Sequence, residues 1–141
     1  SVFNQAKDVR EDLAGKQISK IGNLLSKTFS LRSSAEVKSL FAKLIVYHEI
    51  EAESLVYRLA RITARVSHIA RSKIVSKDDF LRAVVLYYLS ERKHDRRQLA
   101  EKLLIINAQN SIKNILSWLV EKELIEKQGE FYKIKIDTLL S

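Results

Sequence analysis

The order of apolar spacings and turn residues from Ser76 to Ile136 constrains the fold of this chain more than any other feature. Ser76 is followed three residues later by Asp79, which is the spacing of a capping box at the start of a helix. Apolar residues then recur at helical spacing: Phe80, Val84, Val85, Tyr88 and Leu89. One face of the predicted helix therefore packs against a core.

Two shorter helices are predicted after this one. Asp95 caps a helix that carries Leu99, Leu103 and Leu104. Asn107 caps a third helix, whose apolar residues are Ile112, Ile115, Leu116 and Leu119. We expect the third helix to pack this apolar stripe against the second.

A hairpin follows the third helix. The apolar pair Leu124–Ile125 and the stretch Phe131–Ile136 flank Glu126–Glu130, a connection of hairpin length that contains Gly129. Three helices followed by a hairpin resemble the winged helix, a module that usually sits on duplex DNA and uses the hairpin as its wing.

The resemblance implies that the third helix turns its polar side chains toward DNA. Amide side chains can pair with adenine, and lysine can approach guanine or the phosphate oxygens. The predicted DNA-binding residues are Gln109, Asn110, Lys113, Asn114 and Ser117 on the third helix, Lys127 in the wing, and Arg96 and Arg97 at the start of the second helix. Many winged helices bind protein instead, and four acids near the wing would repel phosphate: Glu121, Glu123, Glu126 and Glu130.

Composition excludes several classes of protein. With 141 residues, 46% hydrophobic and 30% charged, the chain is long enough for one domain or two small ones with a real core. It has no cysteine and its three histidines are far apart, so we predict no disulfide, no metal site and no cofactor. The longest apolar run covers residues 83–89 and no signal segment opens the sequence, so we expect an intracellular protein, cytoplasmic or nucleoid-associated, without a membrane partner.

The charge is unevenly distributed along the chain. A net charge of +8 at pH 7 favours a polyanionic partner. Residues 1–75 contain 13 Lys plus Arg against 7 Asp plus Glu, giving +6, whereas residues 76–141 contain 12 against 10, giving +2. Residues 54–73 contain no acid, and their five cations form a predicted phosphate-binding or partner-binding set: Arg58, Arg61, Arg65, Arg71 and Lys73.

The N-terminal half is predicted to be a helical bundle. Its expected helices are Phe3–Leu13, Gln17–Phe29, a third that ends near Tyr47 to Glu51, and a long central helix from Ala52 to about Ser72. Ser33 with Glu36 forms a capping box for the third. The central helix carries an apolar stripe: Leu55, Leu59, Ile62, Val66 and Ile69. We therefore predict a mainly α fold, with a helical bundle over residues 1–75 and a winged helix-turn-helix with a two-stranded wing over residues 76–141.

On the central helix, Arg58, Arg61 and Arg65 lie within about 60° of one another, beside the apolar stripe. Such an edge is either an ordinary solvated helix face or a surface that holds a nucleic-acid backbone or an acidic partner, because arginine binds phosphate and carboxylate bidentately. Tyr57 on the same helix could stack on a base or be partly buried.

Arg61 and His68 have an R-x6-H spacing, which resembles the catalytic motif of the helical HEPN ribonucleases. That motif generally has a polar residue directly after the arginine, whereas here Ile62 follows and belongs to the apolar stripe. We therefore expect no RNA cleavage, and a helical ribonuclease stays the least favoured alternative.

Residues 62–91 contain a long helix, a short turn with Val75, the cap Ser76 followed by Asp78 and Asp79, and then a second helix. This order resembles the lid of archaeal AAA+ replication proteins, the minichromosome-maintenance helicases and the origin-recognition initiators, in which it leads to a terminal winged helix. The chain has no Walker motif, so the resemblance implies a replication or chromosome context without helicase or ATPase activity.

We expect a non-enzymatic nucleic-acid-binding protein, with duplex DNA as its partner, or an accessory subunit that acts in DNA replication, maintenance or transcription. The alternative is a protein-interaction subunit that docks on a larger replication or transcription enzyme. A homodimer also stays open, since Val46, Tyr47 and the apolar faces of the N-terminal helices can complete a core or cover a dimer interface.

Overall fold

The fold is mainly helical, with a small antiparallel sheet toward the C-terminal end. A computed structural model describes residues 15–47 and 53–135. Its helices are α1 (residues 15–23), α2 (Ala35–Tyr47), α3 (Glu53–Ile69), α4 (Lys77–Glu91), α5 (Arg96–Leu103) and α6 (Ile112–Glu121). Its strands are β1 (Arg32–Ser33), β2 (Ile74–Val75), β3 (His94–Asp95), β4 (Ile125–Gln128) and β5 (Phe131–Ile134). The predicted helix Phe3–Leu13 and the predicted strand end at Ile136 lie outside the described residues.

α1 continues as a π-helical segment, Leu24–Thr28, before the chain turns toward α2. Ile21 and Leu25 are fully buried, as the helix predicted over residues 17–29 requires. Phe29 follows the segment, and its ring contacts that of Tyr57 on α3 with the two centroids 5.3 Å apart. The end of α1 is therefore held against α3.

The predicted capping box of α2 is wrong. Ser33 lies in β1, where it pairs with Val75 of the parallel strand β2, and this pairing shifts the start of the helix by one residue. Ser34 caps α2 instead, since its Oγ accepts a hydrogen bond from the Val37 N–H at 3.2 Å. The Glu36 carboxylate lies 3.7 Å from the ammonium of the first residue of α4.

α3 packs the predicted apolar stripe into the core. The described side chains of this stripe are buried or half-buried: Leu59, Ile62, Val66 and Ile69. The side chain of Leu55 lies outside the described part of the chain. α3 ends earlier than predicted, because Arg71 has a left-handed φ of 56°, which an α-helix cannot continue.

α4 is the central element of the core, and its capping box is confirmed. Ser76 Oγ accepts a hydrogen bond from the Asp79 N–H, and Asp79 Oδ2 accepts one from the Ser76 N–H, each at 3.1 Å. From Phe80 to Leu89 nearly every residue is buried, because α3 packs on one side of α4 and α6 and β5 pack on others. The hydrophobic core thus runs across the boundary predicted at residue 75, and the division into two domains stays a prediction.

The cap predicted for α5, Asp95, is confirmed, whereas the cap predicted for the third helix is wrong. Asp95 Oδ1 accepts a hydrogen bond from the Gln98 N–H at 2.8 Å, and Gln98 Oε1 accepts one from the Asp95 N–H at 2.9 Å. Asn107 has a left-handed φ of 53° and closes the 3₁₀ turn Leu104–Ile106. Asparagine suits this position because it adopts left-handed conformations at helix ends. α6 begins only after a second 3₁₀ turn, Gln109–Ser111.

The predicted packing of the third helix is confirmed. α6 buries its apolar stripe: Ile112, Ile115, Leu116 and Leu119. The helix contacts α5, whose Leu99 and Leu103 are also buried. Leu104 differs from the prediction, since it lies outside α5 and is 58% exposed.

The sheet has the strand order β3–β5–β4 and is antiparallel throughout. The sequence does not predict β3, because two residues are too few to show an alternating pattern. The hairpin is present, but the predicted connection Glu126–Glu130 is too long, since only Gly129 and Glu130 form the turn. Gly129 has a φ of 63°, which glycine adopts without strain at the first position of a two-residue turn.

Candidate nucleic-acid interface

A cleft of about 450 Å³ lies between α6 and the β4–β5 hairpin. We call it the hairpin cleft. It is lined by Arg96, Lys113, Leu116, Ser117, Val120, Glu121, Lys127 and Tyr132. Four of the eight predicted DNA-binding residues therefore share one surface: Arg96, Lys113, Ser117 and Lys127.

Three elements bring these side chains together. Arg96 is the first residue of α5 and follows directly on its cap. Lys113 and Ser117 are four residues apart on α6, so they lie on one face of that helix, away from its buried stripe. Lys127 lies in β4 opposite Tyr132 of β5, and its Nζ is 5.7 Å from the centre of the tyrosine ring.

The hairpin cleft is electropositive. Arg96, Lys113 and Lys127 form no ion pair with any described residue, and Glu121 is the one carboxylate among the lining residues. Glu126, one of the four acids expected to repel phosphate, lies 3.2 Å from the Lys133 ammonium, which offsets its charge. Three cations from separate elements thus face a single carboxylate.

The structure places three other predicted DNA-binding residues elsewhere. Gln109 is half-buried in the 3₁₀ turn before α6, and its Oε1 is buried without a hydrogen-bond partner among the described residues. Asn110, in the same turn, is exposed. Arg97 Nε lies 3.4 Å from the Glu101 carboxylate one turn along α5, so this guanidinium is directed along its own helix.

The opposite flank of α6 faces a second, more polar cleft of about 620 Å³, which we call the turn cleft. It is lined by Ile69, Ala70, Arg71, Ser72, Ser76, Asp78, Asp79, Arg82, Trp118 and Lys122. The guanidinium carbon of Arg82 lies 4.0 Å from the centre of the Trp118 ring, and Arg82 Nη1 lies 3.4 Å from Asp79 Oδ1. Trp118 is thus half-buried, with its ring against Arg82 of α4. Asn114 adjoins this flank, in a small cavity that it shares with Arg82.

The five cations predicted as one phosphate-binding set differ in exposure and are spread along α3 and the turn that follows it. Arg58 and Arg61 are half-buried, whereas Arg65, Arg71 and Lys73 are exposed. α3 has 17 residues and is therefore about 25 Å long, with Arg58 near its start and Arg71 beyond its end. Arg71 joins the turn cleft beside α6.

Arg58 belongs to the opposite end of α4, near Tyr87. Burial raises the pKa of Tyr87, the nearby Glu91 carboxylate raises it further, and the positive charge of Arg58 opposes both. Arg65, Arg71 and Lys73 are the members of the set that face solvent.

The remaining candidates on α3 do not line either cleft. Tyr57 is 43% exposed and packs on Phe29, so it is partly covered from within the chain. His68 is exposed, Arg61 is half-buried, and the intervening Ile62 is fully buried in the core, as its place in the apolar stripe requires. The two residues of the R-x6-H spacing are about 10 Å apart along the helix axis.

His94 is a buried titratable residue that sequence reasoning missed. It is 2% exposed in β3, and its Nδ1 lies 2.8 Å from the Arg92 carbonyl oxygen, to which the ring donates a hydrogen bond. Burial lowers the pKa of His94, and this effect exceeds the opposing one of that hydrogen bond. The ring is therefore neutral at physiological pH and supports the strand that precedes Arg96.

Residues 15–47 and 53–135 contain no group of three or more histidine, aspartate or glutamate side chains that could hold a metal ion. None of their helices combines the length and the apolar content needed to cross a bilayer.

Comparisons of the chain with protein-family models, with curated proteins and with solved structures found no match. Function must therefore be inferred from the residues and their arrangement.

Proposed function

We propose that this chain is a non-enzymatic nucleic-acid-binding protein whose C-terminal part, from α4 to β5, binds duplex DNA as a winged helix. The observation that carries the proposal is the convergence of Arg96, Lys113 and Lys127 on the hairpin cleft without ion pairs among the described residues. Phosphate contacts supply most of the affinity of proteins for DNA, and they require cations of this kind. The order of α4, α5, α6 and the β4–β5 hairpin supports the proposal.

In this proposal α6 enters the major groove and the hairpin lies beside it as the wing. The major groove is about 12 Å wide and admits an α-helix. Lys113 and Ser117 then face the groove, while Lys127 and Arg96 reach phosphates on one side of the helix. Asn110 and Asn114 are exposed near the start of α6, where amides can meet base edges. Gln109, with its buried Oε1, contributes less than the sequence alone suggests.

The context we propose is DNA replication, maintenance or transcription at the nucleoid. It is supported by the resemblance of residues 62–91 to the lid of AAA+ replication proteins and by the geometry of that segment. α3 ends at Ile69, Val75 is 1% exposed, and Ser76 with Asp79 forms the capping box that opens α4.

Fluorescence anisotropy with a labelled 24-base-pair duplex, matched single-stranded DNA and matched RNA tests the proposal. We expect the duplex to bind most tightly. Arg96→Ala/Lys127→Ala should weaken duplex binding and flatten the slope of log affinity against log salt by about 0.9 for each lost phosphate contact, close to 2 in total. Lys43→Ala removes an exposed charge from α2 outside the hairpin cleft and should change neither quantity. Equal affinities for the parent and the double variant would refute binding through the hairpin cleft.

A second candidate function is docking on a larger replication or transcription enzyme. Apolar surface favours it, since Leu104 and Ile105 are adjacent in one 3₁₀ turn and are 58% and 40% exposed. Val120, in the hairpin cleft, is 43% exposed. The same titration separates the two functions, because a docking subunit would show no salt-dependent affinity for the duplex in its folded state.

A further inference from the structure

A third cavity, of about 690 Å³, lies between α1, β1 and the start of α2, in a part of the fold separate from α6. We call it the α1–α2 cavity. Arg32 of β1 and Lys38 of α2 line it, and no carboxylate is among the lining residues. Neither cation forms an ion pair with any residue that the structure describes. Two uncompensated cations thus share one concave surface.

The backbone holds both cations in place. Arg32 pairs with Ile74 in the short parallel ladder of β1 and β2, which sets the position of its side chain at the rim. Lys38 lies across α1 at Gly22, where an added Cβ would be 3.5 Å from the lysine Cε and 3.7 Å from its Nζ. The lysine stem therefore runs close to the α1 backbone, and Lys38 is half-buried there.

The rest of the lining supplies hydroxyl groups and an apolar wall. Four serines are among the lining residues: Ser19, Ser26, Ser33 and Ser34. The Ser26 hydroxyl already donates a hydrogen bond to the Gly22 carbonyl oxygen at 2.8 Å. Because Ser34 already caps the Val37 N–H, the preference for an anion comes from the two cationic side chains rather than from the helix end. The apolar wall consists of Ile18, Leu31 and Ile74, the last of which is 51% exposed. Cavities of a few hundred Å³ with apolar walls and a few converging polar groups are typical of small-molecule sites.

We propose that the α1–α2 cavity binds a small organic phosphate monoester. A phosphate carries up to two negative charges and three acceptor oxygens, which match Arg32, Lys38 and the serine hydroxyls of the lining. The guanidinium of Arg32 can hold two of those oxygens at once, and Lys38 acts as a point charge. The organic part of the ligand lies against the isoleucine and leucine wall. This site is independent of the proposed DNA interface.

Titration calorimetry with phenyl phosphate and adenosine monophosphate tests the site, with phenol and adenosine as the matched compounds without phosphate. We expect both phosphates to bind with Kd below about 1 mM and both phosphate-free compounds to bind at least about tenfold more weakly. Arg32→Ala/Lys38→Ala should weaken phosphate binding by at least about tenfold, whereas Lys43→Ala, on the same helix outside the cavity, should leave it unchanged. Circular dichroism establishes that each variant is folded.

Ile74→Glu is a second test, which does not depend on the double variant. Ile74 is half exposed, and a carboxylate at the rim of the cavity repels an anion. Amide chemical shifts measured with phenyl phosphate should move at Gly22 and Ser33. The proposal is overturned if neither phosphate binds at about 5 mM, if the double variant or Ile74→Glu binds like the parent, or if the shifts map to the hairpin cleft. It is also overturned if the double variant loses affinity only for duplex DNA, since the two cations would then belong to the nucleic-acid surface.

Discussion

Leu119→Ala is expected to destabilise the protein by about 2 to 5 kcal/mol, whereas Val120→Ala, one residue further along α6, is expected to change stability by less than about 0.5 kcal/mol. Leu119 is 0% exposed and Val120 is 43% exposed. The leucine truncation loses about three buried carbons at about 0.8 kcal/mol each, and the cavity left behind adds to that loss. Truncating the half-exposed valine loses less burial, and the better helix propensity of alanine offsets much of it.

Urea denaturation followed by Trp118 fluorescence and by circular dichroism measures both effects. Trp118 is the single tryptophan of the chain and lies on α6, so its fluorescence reports on the unfolding of the helix that carries both substitutions. For Leu119→Ala we expect a lower urea concentration at the midpoint of unfolding. The slope of the unfolding free energy against urea concentration should stay that of the parent. The assigned faces of α6 are wrong if Leu119→Ala stays within about 0.5 kcal/mol of the parent, or if the valine variant loses as much as the leucine variant.

Three further predictions concern pH and the backbone. Burial lowers the pKa of His94, so the contribution of this residue to stability is complete above the ordinary histidine pKa of about 6.5 and is lost as pH falls below it. In parallel urea titrations, the parent should therefore lose more stability between pH 7.5 and 5.5 than His94→Gln does. Gly129→Ala should destabilise the hairpin by about 1 to 2 kcal/mol, because a φ of 63° strains a residue with a Cβ; an unchanged urea midpoint would contradict the turn conformation. Gly22→Ala should raise stability by about 0.5 to 1 kcal/mol, since the new Cβ meets Lys38 at an ordinary contact distance within a helix; a lower midpoint would show that the lysine stem cannot adjust.

Local signals in the sequence determined most of the helices. The capping box of α4 depends on Ser76 and Asp79, three positions apart, and the cap of α5 depends on Asp95, so a short segment contains the information needed to place each helix start. The buried stripes of α3 and α6 follow from helical periodicity for the same reason. Lys113 and Ser117 share a face of α6 by their spacing alone.

Contacts between distant segments decided the features that sequence reasoning placed incorrectly or did not find. Ser33 loses its role as a cap because it pairs with β2, forty residues later in the chain. β3 exists because β5 offers it hydrogen bonds. Each of these outcomes depends on a partner that the local sequence does not contain.

The candidate site likewise combines features that follow from local sequence with features that only tertiary packing decides. Spacing indicated which α6 residues share a face, but only tertiary packing brings Arg96 and Lys127 to that face and places Arg71 in the turn cleft beside α6. The contact of Arg82 with the Trp118 ring depends on how α4 and α6 pack, and the 3₁₀ turn that holds Gln109 packs against α5. Helix periodicity is a property of a few consecutive residues, whereas a cleft is formed by side chains whose proximity arises only when the whole core packs.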